Sequence, residues 1–293
     1  MSKTRRRKLS TNESEGNTDV VRERRAGRPQ IRNKVYTSDS MRLYNNDCLD
    51  VIPQLPDDSI DLVPTSPPYN VNLGNNKYNK HAYDLYNDNR EYAEYITWLE
   101  TVFRTLYPKV RKDGRVCIVI GDPQNGRVPT HSHIIQFMLK IGYLPYAHLI
   151  WNKNQVANRR AWGSWCSPSC PSFPTPFEHI LIFAKETIKL QTKAVSDLIP
   201  QEFIPWTLAQ WDIAPETRMR KIGHPAMCPL EIPLRLIKML SWAGATVLDP
   251  FNGAGTTGVA CQMTGRNFIG IEISKTYCDI AINRWKSAKT VAA

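Results

Sequence analysis

Seven short apolar runs constrain this chain more than any other feature. They span residues 41–46, 60–64, 115–121, 146–151, 178–184, 246–249 and 267–272, lengths that suit buried strands. Segments of helical period or polar loops separate them. The clearest places Tyr92, Tyr95, Ile96, Leu99, Val102, Phe103 and Leu106 at spacings of three and four, the stripe of an amphipathic helix. Further helices are expected over 48–55 (closed by Pro56), over 131–141, over 229–242, from a glycine turn through Met263, and over 276–286. Buried strands alternating with helices argue for an α/β fold, a doubly wound, mostly parallel sheet of seven strands. Pro64 closes the second run. Proline cannot donate to a sheet ladder, so the last position of the strand is where it is tolerated.

Two loops leaving these strands carry chemistry. Thr65-Ser66-Pro67-Pro68-Tyr69 follows the second run, and its two prolines hold it extended and stiff. Ser66 Oγ and the Ser66 and Pro67 carbonyls offer acceptors, while Tyr69 offers an aromatic face. That set suits a flat ring with an exocyclic amine, although S-P-P-Y alone also reads as a surface turn. The second loop follows Val247-Leu248 and runs Asp249-Pro250-Phe251-Asn252-Gly253-Ala254-Gly255-Thr256-Thr257-Gly258. It contains G-x-G-x-x-G at the mouth of a helix, with Glu272 at the spacing of a ribose-binding acid. Glycines admit a close ligand, and a helix N-terminus favours a carboxylate or phosphate. A nicotinamide dehydrogenase would use the same turn. It would give no reason for S-P-P-Y, for the charge of the chain, or for a cofactor turn so far along it.

Charge narrows the partner. The formal net charge is +11, which points to a polyanion such as nucleic acid. Residues 1–35 hold eleven Lys or Arg against four Asp or Glu, without periodicity. They read as a disordered basic arm ahead of a catalytic domain over 36–293. Arg25 and Arg28, beside Gly27 and Pro29, suit either a minor-groove hook or a solvated tail. Arg159 and Arg160 precede Trp162 and Trp165 in a loop over 152–177 that either faces nucleic acid or closes the core. Residues 186–223 lack periodicity and carry Arg218, Arg220 and Lys221; by elimination they are the expected target-recognition insertion. Residues 71–90 read as a long loop, a lid over substrate. No run reaches the roughly 18 apolar residues of a membrane span, and the first eight residues lack the apolar core of a signal peptide. Seven cysteines are scattered, and Cys166 and Cys170 have no second pair or His cluster at zinc spacing. A reduced cytoplasmic protein with no metal is expected.

Together, Thr65-Ser66-Pro67-Pro68-Tyr69 and the turn from Asp249 to Gly258 resemble the catalytic and cofactor motifs of the β-class amino-group DNA methyltransferases, catalytic motif first and cofactor motif last. T-S-P-P-Y in place of D-P-P-Y is most similar to the cytosine-N4 members of restriction-modification systems. The resemblance runs over residues 41–285. It implies a Rossmann-like, circularly permuted fold, S-adenosylmethionine as cofactor and double-stranded DNA as partner, with a paired restriction endonuclease allowed. Asp47 and Cys48 would contact the cofactor's adenine, and Glu272 its ribose hydroxyls. Thr65, Asp249, Pro250, Phe251, Gly253, Gly255, Thr256 and Thr257 would complete the cofactor wall. His224 and Pro225 resemble the element preceding the cofactor strand, although Met227-Cys228 departs from the pair usual after it. Ser66, Pro67, Pro68 and Tyr69 would be catalytic. On this resemblance the cytosine would flip out, stack on Tyr69, and give its N4 hydrogens to Ser66 Oγ and the Pro67 carbonyl. Adenine N6 presents a similar amine, and a basic nucleic-acid-binding protein without turnover would keep the same fold; both readings stay open at this point.

Overall fold

The apolar runs become the strands of one sheet. The computed structural model describes residues 34–71, 85, 88–154, 163–216 and 227–288, all within one compact unit, Ile31–Ala293. The strands are β1 (Lys34–Thr37), β2 (Met41–Asn45), β3 (Ile60–Thr65), β4 (Val110–Ile120), β5 (Tyr143–Asn152), β6 (Phe177–Lys185), β7 (Gln210–Asp212), β8 (Thr246–Asp249) and β9 (Asn267–Glu272). Their order is β1-β2-β9-β8-β3-β4-β6-β5-β7. The seven expected strands are present, and among the described residues the count is corrected to nine. The additions, β1 and β7, are edge strands of four and three residues with no apolar run to betray them. Only β1–β2, β4–β6 and β5–β6 pair antiparallel, so the sheet is mostly parallel as expected.

Helices cover both faces. They are α1 (Cys48–Val51), which continues as a 3-10 turn Ile52–Gln54, α2 (Tyr92–Leu106), α3 (Thr130–Ile141), α4 (Pro200–Trp206), α5 (Glu231–Leu240), α6 (Thr256–Met263) and α7 (Lys275–Ser287). Side chains alternate along a strand, so β4 sends Val116, Ile118 and Ile120 into a core with α2 and α3. The intervening Cys117 and Val119 enter a second core, with α5, α6 and α7. Burial on both faces is why these strands read as continuous apolar runs.

The order reverses between β3 and β8. From β3 the chain crosses through α2 to β4; from β8 it crosses through α6 to β9, on the other side. β3 and β8 are paired in register at Leu62↔Val247. Pro64 keeps its register with Cys117 of β4 and lies beyond the registered β8 pair. Strands that diverge at a switch point leave a crevice at their carboxyl ends.

The segment after β6 first runs along the opposite edge of the sheet. Arg115 donates to the Ile188 carbonyl, Gln191 N to Asp113, and Trp242 Nε1 to the Thr192 carbonyl. The buried Arg266 guanidinium grips Asp197 through two nitrogens, at 2.5 and 2.8 Å. α4 then packs on α5, with Arg235 over the Trp206 ring at 5.5 Å. β7 pairs with β5 and returns the chain to the carboxyl ends. Trp211 of this strand is core, not surface.

Candidate active site

A cavity of about 470 Å³ opens at the crevice between β3 and β8. Thr65, Ser66, Pro67, Pro68 and Tyr69 line one wall, and Asp249, Pro250, Phe251, Gly253, Thr256 and Thr257 the other. Asp47 and Cys48 at the end of β2, and Glu272 at the end of β9, complete it. Motifs far apart in the chain thus meet because their strands are sheet neighbours.

Asp249 joins the walls. Its Oδ1 accepts from Thr65 Oγ1 at 2.7 Å and from Phe251 N at 3.1 Å, while Oδ2 accepts from Thr257 Oγ1 at 2.7 Å. Burial pushes its carboxyl above the usual Asp range, against the lowering effect of these donors. Glu272 is also held before any ligand arrives: Gly253 N donates to Oε2 at 2.7 Å and Ser274 N to Oε1 at 2.9 Å. Asp47 caps α1 through Leu49 N at 2.8 Å. Burial, with the neighbouring Asp47 charge, pushes the Cys48 thiol well up, so it stays a neutral lining group. Gly255 does not line the cavity. Its φ is +80°, and a Cβ there meets Ala281 at 2.7 Å and Trp285 Nε1 at 2.8 Å, both on α7. The close approach that requires glycine is to a helix of the protein itself.

The loop from Thr65 to Tyr69 is braced from behind. Ser66 Oγ donates to Tyr69 Oη at 3.1 Å, and Tyr69 Oη donates to Glu178 Oε2 at 2.7 Å. Lys153 Nζ, at the end of β5, forms an ion pair with Glu178 Oε1. Burial and the Glu178 charge hold the Tyr69 phenol well above its usual range, so it is un-ionised. Tyr95 of α2 donates to the Pro68 carbonyl at 2.8 Å. Beyond the loop, Asn70 clasps Arg90: Asn70 Nδ2 donates to the Arg90 carbonyl at 2.9 Å, and Arg90 N donates to Asn70 Oδ1 at 2.8 Å. The ends of the expected lid are therefore tied together, though residues 72–84, 86 and 87 lie outside the described ones. The sequence reading missed Glu178 and Lys153. The signal was an acid opening an otherwise apolar strand and a lysine closing another, since charges in central strands need a partner.

Other expected residues lie outside the described ones: Arg25, Arg28, Arg159, Arg160, Arg218, Arg220, Lys221, His224 and Pro225, and the arm up to residue 33. In the loop they flank, Trp165 is 70% and Phe173 74% exposed, so neither closes the core. Cys166 and Cys170 are exposed and free. One cluster was not foreseen. After β4, Asp122 Oδ2 lies 2.6 Å from His131 Nδ1 and 3.5 Å from His179 Nε2, a set of atoms an ion can use. His179 Nδ1 in turn meets His148 Nε2 at 2.9 Å. Burial, then His131, holds His179 below the usual imidazole range. The row satisfies its own polar atoms.

A mostly parallel sheet, a switch-point cavity, a P-P-Y loop and a glycine turn define a class of nucleotide-cofactor enzymes acting on an amine. The sequence profile of the N6/N4 DNA methylases matches residues 60–283, and the chain belongs to that family. Two Type II methyltransferases of Methanocaldococcus jannaschii are similar. M.MjaVI is 36% identical over 191 residues, 64% of this chain and 92% of that protein. M.MjaI is 33% identical over 259 residues, 76% of this chain and 84% of that protein. Among solved structures, a DNA modification methylase of Thermus thermophilus in complex with S-adenosyl-L-methionine has a TM-score of 0.66 and 28% identity, covering 86% of this chain and 95% of its own. The PvuII cytosine-N4-specific DNA methyltransferase, at 20% identity and a TM-score of 0.64 over 89% of this chain and 90% of its own, shares the fold. Among the described residues, no helix is long and apolar enough to cross a membrane.

Proposed function

We propose that this DNA methylase transfers a methyl group from S-adenosylmethionine to the exocyclic N4 amine of a cytosine flipped out of duplex DNA. The observation that carries this reading is the Thr65–Asp249 hydrogen bond, which sets the amine-gripping loop against the cofactor wall. T-S-P-P-Y supplies a neutral hydroxyl where an acid would otherwise stand, and that favours cytosine.

The residues present fit the cofactor. The cavity falls in the size range of small-molecule sites, roughly 300–1,000 Å³. Glu272, fixed by two backbone N–H groups, suits a ribose diol. Asp249, buried with no cation paired to it among the described contacts, suits the positively charged methionine end. Phe251 and Cys48 give apolar surface for the adenine. When bound, S-adenosylmethionine supplies an electrophilic methyl group. On the other wall, Ser66 Oγ and the Pro67 carbonyl accept the hydrogens of the amine, draw its lone pair out of conjugation with the ring, and stabilise the positive charge that develops on nitrogen. Tyr69 stacks the ring, at a flipping cost of a few kcal/mol. The first part of residues 186–223 is anchored at the far edge, while Pro215 and Glu216 line the cavity, which supports a reading in which the later part of that segment, with residues 152–177, carries recognition. This reading allows a paired restriction endonuclease that reads the same site.

Nucleoside analysis of treated DNA tests the reading. N4-methylcytosine is expected; N6-methyladenine overturns the choice of base, and no methylated base overturns the activity. Ser66→Ala and Tyr69→Ala should each lose about a hundredfold or more in methyl transfer while binding cofactor normally. Near-normal turnover by both would remove them from the site.

A further inference from the structure

The bonds behind Tyr69 have a fixed direction. A carboxylate only accepts, so Tyr69 donates to Glu178; its oxygen then accepts from Ser66, whose lone pairs are left for the amine. Positioning a ring does not require this order, nor a lysine behind the carboxylate. We propose that the row Ser66–Tyr69–Glu178 carries the amine proton away as the methyl group arrives, with Glu178 as terminal acceptor and Lys153 as its counter-charge. The inference rests on Ser66 receiving a base amine and holds for N4 or N6 alike.

The step balances. The nitrogen lone pair forms the N–C bond while the C–S bond breaks and its electron pair stays on sulfur. One N–H proton passes to Ser66 Oγ, the Ser66 proton to Tyr69 Oη, and the Tyr69 proton to Glu178, which becomes neutral. The positive charge that arrived on sulfur leaves as that proton. A second opening of about 220 Å³ shares Tyr69, Lys153 and Glu178 with the main cavity, but Asp122, Asn125 and Thr175 line it alone. It gives Glu178 a route to water that avoids the reacting groups. The phenol, held un-ionised by burial and by Glu178, relays a proton without becoming a phenolate sink. Among the described residues, Lys153 just after β5 and Cys228 ahead of α5 face this row, and Asp122 after β4 lines the second opening with it. Burial pushes Cys228 up, so it does not compete for the proton.

Glu178→Gln separates relay from scaffold, because the amide still accepts from Tyr69 but takes no proton. Single-turnover methyl transfer should fall about a hundredfold, the range of general base catalysis, with affinities for cofactor and DNA unchanged; the melting temperature falls because Lys153 loses its counter-charge. In the enzyme alone, Tyr69, followed by difference absorbance against Tyr69→Phe, should ionise at lower pH in Glu178→Gln. Glu178→Ala should regain rate with added formate but not with formamide, which accepts a hydrogen bond and no proton. Wild-type rate in Glu178→Gln, equal rescue by formamide, or no rescue by either overturns the relay. Wild-type enzyme that leaves no methylated amine in DNA overturns the functional reading instead.

Discussion

Asp249 is one residue with two tasks, and they set its pH behaviour. It ties the S-P-P-Y loop to the glycine turn and presents a carboxyl group to the cavity. Because burial raises its carboxyl, ionised Asp249 costs the empty protein stability. That cost sets in as pH rises past the usual Asp value of about 3.9 and is relieved as pH falls through the raised folded value. A cationic ligand group beside it reverses the balance by favouring the ionised form. Cofactor binding should therefore weaken as pH falls through the raised value of this carboxyl, with proton release on binding where the empty site is still protonated. Calorimetry in buffers of different ionisation enthalpy measures both effects. Asp249→Asn should lose the pH dependence, and a pH-independent wild-type affinity would show that Asp249 meets no cation.

At the scale of elements, the glycine turn shows how a correct motif can hide its reason. G-x-G-x-x-G is read as room for a ligand, yet α7 fills part of that room. A Cβ on Gly258 comes within 2.5 Å of the Trp285 ring, and Trp285 Nε1 donates to the Gly255 carbonyl at 2.9 Å. Gly258→Ala should destabilise the fold by about 1–3 kcal/mol through overpacking, and Trp285→Leu added to it should recover part of the loss in thermal melts. An unchanged melting temperature, or no recovery, refutes the contact. Seven strands and the main helices were legible because burial on one or both faces imposes apolar runs and periods. β1 and β7 were not, because an edge strand of a few residues is specified by its neighbour rather than by its own pattern. The two walls of the site were legible from their motifs. The brace behind Tyr69 was not, because Glu178 lies 109 residues further on and only the β4–β6–β5 pairing brings it and Lys153 together. The histidine row around Asp122 is hidden for the same reason.

Over the whole molecule, charge and discrimination should separate. The basic arm holds seven of the eleven surplus positive charges, and phosphate contacts of that kind release counterions with a salt slope near −0.9 per phosphate. Deleting residues 1–33 should weaken binding to every duplex alike and flatten the salt dependence. Substitutions at Arg218, Arg220 or Lys221 should instead erode discrimination by about 1–3 kcal/mol where one of them reads a base edge. Affinities for cognate and unrelated DNA at several salt concentrations decide it; discrimination lost with the arm and kept in those variants would move recognition to the arm. The Thr65–Asp249 bond has one more consequence, in time rather than space. Its partners are 184 residues apart. At about 5–20 residues per second, the ribosome releases the second roughly 10 to 40 seconds after the first. A nascent chain therefore exposes its S-P-P-Y loop long before the strand it leans on exists. Translation halted anywhere before β8 yields a chain that carries the S-P-P-Y loop without the Asp249 wall it leans on.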